Sequence, residues 1–292
     1  MNMETIRQKW KCPVCGGALL PYPEKNAFSC DARHSFDVAR QGYVNLLLPQ
    51  KRGASLPGDD KNMVAARSAF LEKGYYEGFS DGVDRAVMTA CTAAGKRAVR
   101  LADAGCGEGY YTVRLVRELA ENGYDVSSAG FDLSKDAVRR GAVKAREAGL
   151  SENIRFAVAS LFEMPVADGS LDGIVNLFAP TSDEEFARVL CPGGFLLLAV
   201  PGEEHLFGLK QALYDSPYKN EIRRDDLPHF DLENVTRVSY EITLSSNEDI
   251  RNLFAMTPYF WRTSQKDTEK LSGLSSLTTP VSFDLLLYRK KE

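Results

Sequence analysis

Leu101-Ala-Asp-Ala-Gly-Cys-Gly-Glu-Gly-Tyr-Tyr-Thr112 is the stretch on which the reading of this chain turns. A short apolar run, Ala98 to Ala102 with one Arg, arrives at Asp103, and glycines follow at alternate positions, Gly105, Gly107 and Gly109. Beyond them Val113, Leu115, Val116 and Leu119 recur at helical spacing. The pattern predicts a strand, a glycine turn and a helix. Glycine has no Cβ, so the backbone can turn sharply and a ligand can approach it closely. The first N–H groups of the helix that follows have no partner within it, which suits a nucleotide-like cofactor.

The spacing narrows the cofactor. A dinucleotide fingerprint reads G-x-G-x-x-G, whereas the glycines here fall as G-x-G-x-G after an acid. That D-x-G-x-G-x-G form resembles motif I of the class I S-adenosylmethionine (SAM) methyltransferases. Asp103, Tyr111 and Thr112 are counted with this cofactor loop. Two further features sit at the expected distances. Asp132 ends an apolar run, Asp125 to Asp132, and lies 23 positions after Gly109. An acid at the end of the second strand accepts hydrogen bonds from ribose hydroxyls in Rossmann-like sites. Leu-Cys-Pro-Gly-Gly, 190–194, then leads into the apolar run Phe195 to Val200, as it does at this place in the class I fold.

Outward from the motif, strand and helix patterns alternate. Strands are expected at Ile154–Ala159 and Leu171–Leu177, with a last hairpin-like pair at Val235–Leu244 and Val281–Arg289. Helices are expected at Lys61–Leu71, Phe79–Ala93, Ser134–Ala148 (with Ser134 as N-cap), Ser182–Leu190 and Asn247–Ala255. Ser160 and the segment to Pro165 should face the adenine edge of the cofactor. Residues Pro201 to Asp231 form a polar insertion at the carboxyl edge of the fifth strand, where α/β sheets place substrate sites. The fold class is therefore α/β: a class I methyltransferase, Rossmann-like seven-stranded mixed sheet with helices on both faces, plus a small N-terminal zinc-binding β-rich module. The expected division is 1–45 as a small N-terminal module, 46–75 as linker and lid helix, with Tyr76 a candidate lid residue, and 76–292 as the methyltransferase domain.

The zinc assignment rests on spacing. Cys12-Pro-Val-Cys15 is C-x2-C followed by two glycines, and, with fourteen residues between Cys15 and Cys30, Cys30-Asp-Ala-Arg-His34 is C-x3-H. Three thiolates and an imidazole are a known tetrahedral structural set for Zn2+, with no open position for chemistry. A segment of some 40 residues has too little core to fold unaided, so a metal staple is physically reasonable. The remaining cysteines, Cys91, Cys106 and Cys191, are scattered.

Totals bound the rest. Of 292 residues, 44% are apolar and 26% charged, the balance of an ordinary folded protein. The longest apolar run, Phe195 to Val200, is far too short to span a bilayer. The first residues hold no apolar signal region, so the expectation is a cytoplasmic protein that does not engage membrane. The net charge is −4, yet residues 1–55 carry +4 and the remainder −8. That asymmetry puts any polyanion contact at the N-terminal end.

The zinc knuckle CPVCGGAL with its C-x3-H, the segment GYVNLL, ADAGCGEGYYT, the Phe178-Ala-Pro after the fourth strand and MTPYFWR near the end together resemble one family. It is the large-subunit ribosomal RNA guanine-N1 methyltransferases of the RlmA type, and the resemblance runs from Cys12 to about Arg289. It implies methyl transfer from SAM to N1 of a guanine in a hairpin loop of the large rRNA, with the zinc module helping to grip the RNA. It also implies zinc ligation by Cys12, Cys15, Cys30 and His34, a SAM loop of Gly105, Gly107, Glu108 and Gly109, Asp132 as the ribose acid, and SAM contacts from Tyr76 and His205. The alternative is a small-molecule methyltransferase whose zinc is purely structural.

The chemistry agrees with a ring nitrogen as acceptor. Exocyclic amine methylation usually uses (N/D)PPY after the fourth strand, and this chain has Asn176-Leu-Phe-Ala-Pro180. Methylation at pyrimidine C5 needs a nucleophilic cysteine, and neither Cys106 nor Cys191 falls where one is expected. Guanine N1 needs its proton removed and an in-line approach; Glu203, Glu204 and Asp183 are the candidate bases. An extruded base would stack on an aromatic, for which Tyr75, Tyr110, Phe178, Tyr259, Phe260 and Trp261 are available. A homodimer would give an acidic core two basic modules with which to hold RNA.

Overall fold

The computed structural model describes residues 9–48, 61–222 and 225–292; most of the linker expected before Lys61, with Lys51 and Arg52, lies outside them. In chain order the strands are β1 (Trp10–Lys11), β2 (Ala18–Tyr22), β3 (Ala27–Ser29), β4 (Ser35–Asp37), β5 (Val44–Asn45), β6 (Ala98–Ala104), β7 (Asp125–Asp132), β8 (Ile154–Val158), β9 (Leu171–Leu177), β10 (Leu190–Pro201), β11 (Phe230–Leu244) and β12 (Leu277–Lys290). The helices are α1 (Lys61–Glu72), α2 (Glu77–Ala93), α3 (Tyr110–Glu121), α4 (Lys135–Glu147), α5 (Asp183–Val189), α6 (Phe207–Leu213), α7 (Asn247–Ala255) and α8 (Gln265–Glu269).

Two sheets form. β1 to β4 make a small antiparallel meander. The large sheet runs β11-β12-β10-β9-β6-β7-β8-β5. Its strands are parallel from β10 to β5, and β12 pairs antiparallel with both β10 and β11. Without β5 this is the seven-stranded mixed sheet of the class I methyltransferases. β5 adds an eighth strand, because Val44 and Asn45 pair with Ala157 and Val158 at the free edge of β8. The strand order reverses beside β6, and a ligand crevice forms at the carboxyl ends there.

Alternation along the strands separates two cores. Val99 and Leu101 of β6, Phe195 and Leu197 of β10, and Phe283 and Leu285 of β12 join one cluster, which α1 to α4, α6 and α7 cover. Ala102 and Ala104, Leu196 and Leu198, and Leu286 and Tyr288 join the other. The second face carries α5 with Phe186, and alongside it Trp10, Leu19 and Phe28 of the small sheet. Helices do lie on both faces, but unequally, because the zinc module fills space on the second. Trp10 packs edge-on to Phe131 of β7, ring centroids 5.6 Å apart. Lys11 N–H donates to Pro165 O at 2.9 Å and Ala167 N–H to Lys9 O at 2.8 Å.

Local signals behave as their chemistry requires. The Ser134 hydroxyl accepts from the Ala137 N–H and caps α4. Three features differ from expectation. The Pro-Gly-Gly stretch is part of β10, with a register shift between Leu190 and Phe195, so α5 stops at Val189. The last two strands reach back to Phe230 and Leu277, because the hairpin ladder continues past the apolar residues that mark it in sequence. The 201–231 insertion contains α6, whose Leu209 and Leu213 are buried. Among the described residues no helix is long and apolar enough to cross a membrane.

Candidate active site and metal centre

The four expected zinc ligands converge. The Cys12, Cys15 and Cys30 sulfurs and a His34 ring nitrogen all lie within 4.8 Å of one another. Cys15 Sγ is 3.6 Å from Cys30 Sγ, and His34 Nδ1 is 3.6 Å from Cys12 Sγ and 3.4 Å from Cys30 Sγ. A zinc tetrahedron with Zn–S bonds near 2.3 Å has edges of about 3.8 Å between sulfurs and slightly less to nitrogen, so the residues fit the ion. Two tight turns build the set. Gly16 N–H donates to Cys12 O, and Arg33 N–H donates to Cys30 O. Lys25, Arg33 and Arg40 of the same module are exposed.

A cavity of about 650 Å3 opens at the carboxyl ends of β6 to β10, within the range of ligand sites. Its wall includes Tyr76, Asp103, Gly105, Gly107, Glu108, Tyr111, Asp132, Ser160 and His205. Gly109 and Thr112, counted in sequence with the same loop, stand behind the wall. A Cβ on Gly109 would lie 2.7 Å from Phe156 and 2.9 Å from Gly141, so the position is glycine to let the loop press onto β8 and α4. Thr112 is buried and donates from Oγ1 to Asp103 Oδ2.

Each acidic side chain in the wall has a defined state. Asp132 Oδ2 accepts from Gly107 N–H at 3.0 Å and Oδ1 from Ser134 N–H at 2.7 Å. These bonds fix the carboxylate at the turn. Burial raises Asp103 to about 7; the Thr112 bond works against that rise, and the Asp132 charge adds to it. Burial also raises Glu108, with Lys144 opposing the rise. Glu108 Oε2 takes Lys144 Nζ at 2.8 Å and the Ser68 hydroxyl at 3.1 Å, so it braces the loop against α4 and α1. Glu108 Oε1 is buried with no partner among the described residues. An acidic wall with a spare carboxylate oxygen suits a ligand bearing an ammonium and a sulfonium, as SAM does.

His205 is buried and receives Ser282 N–H on Nδ1 at 3.3 Å, which leaves the ring proton on Nε2. Burial, with Lys210 nearby, lowers it to about 3, so the ring is neutral near pH 7. Tyr76 is buried with its ring edge-on to Phe70 at 5.0 Å and to Phe283 at 5.7 Å.

None of the three candidate bases, Asp183, Glu203 and Glu204, is in the cavity wall. Asp183 is engaged by His229 Nδ1 near the start of β11, Glu204 pairs with Lys219, and Glu203 is exposed. Cys106 is buried, and Cys191 lies beside Lys96 and Asp172 at the amino ends of the strands, away from the cavity. The wall also includes Arg67 of α1, Leu133 and Asn220, which sequence reasoning did not single out, together with Phe162 of the 160–165 segment and Met256, Thr257 and Arg262 of the MTPYFWR segment. The clustered aromatics of 259–261 were a signal for the last of these segments; Arg67 and Asn220 carry none.

The sheet order, the glycine loop and the acid at the end of β7 define a class I SAM-dependent methyltransferase. A methyltransferase-domain family model matches residues 101–194, and a model described as the RlmA N-terminal domain, a zinc ribbon, matches residues 10–55. The chain is 32% identical over 283 residues to the 23S rRNA (guanine(748)-N(1))-methyltransferase of Streptomyces fradiae, covering 94% of each chain. It is 33% identical to a putative 23S rRNA (guanine-N(1)-)-methyltransferase of Micromonospora griseorubida, covering 96% of each. A putative enzyme of the same description from Bacillus subtilis is 30% identical over 96% of this chain and 97% of its own. The chain belongs to the 23S rRNA (guanine-N1)-methyltransferase family.

Proposed function

We propose that this protein transfers a methyl group from SAM to N1 of a specific guanine in a hairpin loop of 23S rRNA. One observation carries the reading beyond family membership: the cofactor loop and a carboxylate-free, aromatic and amide-lined region share one continuous cavity. Phe178, Pro180, Asn220, Tyr259 and Arg262 line that region, which suits a planar base with its phosphate more than a charged small molecule.

In this reading Asp132 holds the ribose hydroxyls, Ser160 and Phe162 border the adenine, and Glu108, Tyr76 and His205 surround the methionine end. Bound there, SAM would supply the electrophilic methyl. The chain's own contribution is orientation, since holding the acceptor nitrogen in line accounts for much of the rate in such transfers. The neutral His205 ring offers a donor and no acceptor to the cavity. The 1–45 module, with Lys25, Arg33 and Arg40 outward, grips the hairpin, residues 46–75 contribute linker and lid, and 76–292 carry the chemistry. We further infer that two copies act together in the cytoplasm, because one small basic module on an acidic body offers little hold on RNA.

Incubation of unmodified 23S rRNA with the protein and methyl-labelled SAM tests this. Nucleoside analysis should place the label in 1-methylguanosine. Label in another nucleoside, or none, would overturn the reading.

A further inference from the structure

Phe178 is unusual on three independent counts. Its φ is +64°, the left-handed region that non-glycine residues seldom occupy. It is 49% exposed although it directly follows a fully buried strand, β9. It also lines the cavity. The surrounding structure enforces the conformation. Asn176 Nδ2 donates to Pro180 O at 3.0 Å and closes the turn. Ala179, the next residue, is seated directly on Gly105 of the cofactor loop. Sparsely populated backbone of this kind persists where the surroundings over-determine it, commonly at ligand sites.

The ring is half supported. Phe283 lies at 4.9 Å and Phe79 at 5.3 Å between centroids, both tilted against it, and Tyr111 meets it edge-on at 6.3 Å. The rest of the ring is open. The other aromatic candidates are committed elsewhere. Tyr75 donates to Asp249, Tyr110 packs on Tyr111 under Arg114, and the Tyr259 hydroxyl is bonded to Asn220. Phe260 and Trp261 are exposed but outside the wall. Phe162 is half exposed and in the wall, but it follows β8 on the side of Asp132 and Ser160. Arg262 also lines the cavity and is exposed.

We propose that Phe178 is the platform on which the target guanine stacks beside the cofactor loop, with Arg262 receiving a phosphate of the same or the adjoining nucleotide. This rests on the function proposed above and assigns its base site. The contact of Ala179 on Gly105 sets the height of the ring relative to the loop, so a base stacked on it is held at a fixed distance from the cofactor. Stacking is indifferent to sequence; it therefore positions the guanine and leaves its identity to hydrogen bonds.

The test is single-turnover methyl transfer from SAM to a 23S rRNA hairpin transcript by the full chain and by F178A, F178G and F178Y, with SAM affinity measured for each by calorimetry. F178G keeps the left-handed backbone without strain, so a shared defect in F178A and F178G reports the ring and not the turn. Both should lose about 10- to 100-fold in methylation, F178Y should stay within about threefold of wild type, and SAM affinity should stay within about twofold throughout. Methylation by F178A at the wild-type rate would overturn the proposal while leaving the function standing. Loss of SAM binding in step with methylation would make Phe178 a cofactor contact and overturn it as well. A wild-type chain that puts no methyl on guanine N1 would remove the functional reading and this assignment with it.

Discussion

Ala179 occupies the space that a side chain on Gly105 would need: a Cβ on Gly105 would lie 2.2 Å from the Ala179 Cβ. The cofactor loop after β6 and the turn after β9 are thereby pressed together, and the two halves of the cavity are set at a fixed distance. Gly105 also has φ +86°, so any side chain there meets both a clash and an unfavourable backbone.

Gly105→Ala should therefore destabilise the protein by about 2–4 kcal/mol, from overpacking and positive φ together, and should weaken SAM binding. Gly107→Ala meets only Arg67 Nη1 at 3.7 Å and should cost about 1 kcal/mol, from its φ of +51° alone. Chemical denaturation of both variants and SAM calorimetry check the contrast; equal losses would refute the close-contact argument.

The zinc ribbon should hold roughly one zinc per chain, and Cys12→Ala should hold almost none, since removing one of the four ligands breaks the tetrahedron. Trp10 on Phe131 and Lys11 N–H on Pro165 O tie the ribbon to the large sheet. Chelation should therefore lower the melting temperature of the whole chain and weaken RNA binding more than SAM binding. Metal analysis with melting curves decides it; an unshifted melting temperature in the metal-free protein would show that the ribbon carries no load.

Asp103 lies near 7 because it is buried. Its folded pKa is above the ordinary carboxylate value, so the free protein carries a proton there below about pH 7. A cationic ligand favours the carboxylate, so SAM binding should release part of a proton near pH 7, and affinity should rise with pH from 6 to 8 and then level. Calorimetry in buffers of different ionisation enthalpy measures this. Affinity flat across that range, with no proton release, would contradict it.

His205 runs the other way on stability. Its folded pKa, about 3, is below the unfolded value of 6.5, so the unfolded chain binds the proton first. The protein loses nothing through this group above pH 6.5, and stability falls as pH drops below it, by about 2 kcal/mol at pH 5. His205→Asn keeps an acceptor for Ser282 N–H and has no titration, so the difference in stability between the two proteins should shift by that amount between pH 7 and 5. An unchanged difference would mean that His205 is not held neutral.

Much of this site was legible in sequence because it rests on short-range signals. The glycine loop, Asp132, and the C-x2-C and C-x3-H pairs each depend on local geometry that few residues can satisfy, and the strands around them carry clear apolar runs. The orientation of the candidate bases was not legible. Asp183, Glu203 and Glu204 lie near the carboxyl ends of β9 and β10 in sequence, but which way an acid faces is decided by His229 and Lys219, which lie 46 and 15 residues away. Arg67 and Asn220 reach the cavity through tertiary packing of α1 and the insertion, and nothing local marks them. The run Tyr43–Leu48 reads in sequence as a short strand and Val44–Asn45 is one, but nothing local shows that it pairs with β8 at the edge of the large sheet.

Because those three carboxylates lie outside the cavity wall, Asp183→Asn, Glu203→Gln and Glu204→Gln should each keep methylation within about threefold across pH 6 to 9. A single-turnover pH series measures it; a loss of 100-fold or more in any one, the size of a missing general base, would restore that residue as the proton acceptor.

The most direct measurement is primer extension on 23S rRNA from cells with the gene and from cells without it. An N1-methyl blocks the Watson–Crick edge of guanine, so reverse transcription should stop one nucleotide before a single loop guanine in the first sample and read through in the second. Identical read-through at every guanine in both samples would contradict the assignment of this protein as a 23S rRNA guanine-N1 methyltransferase.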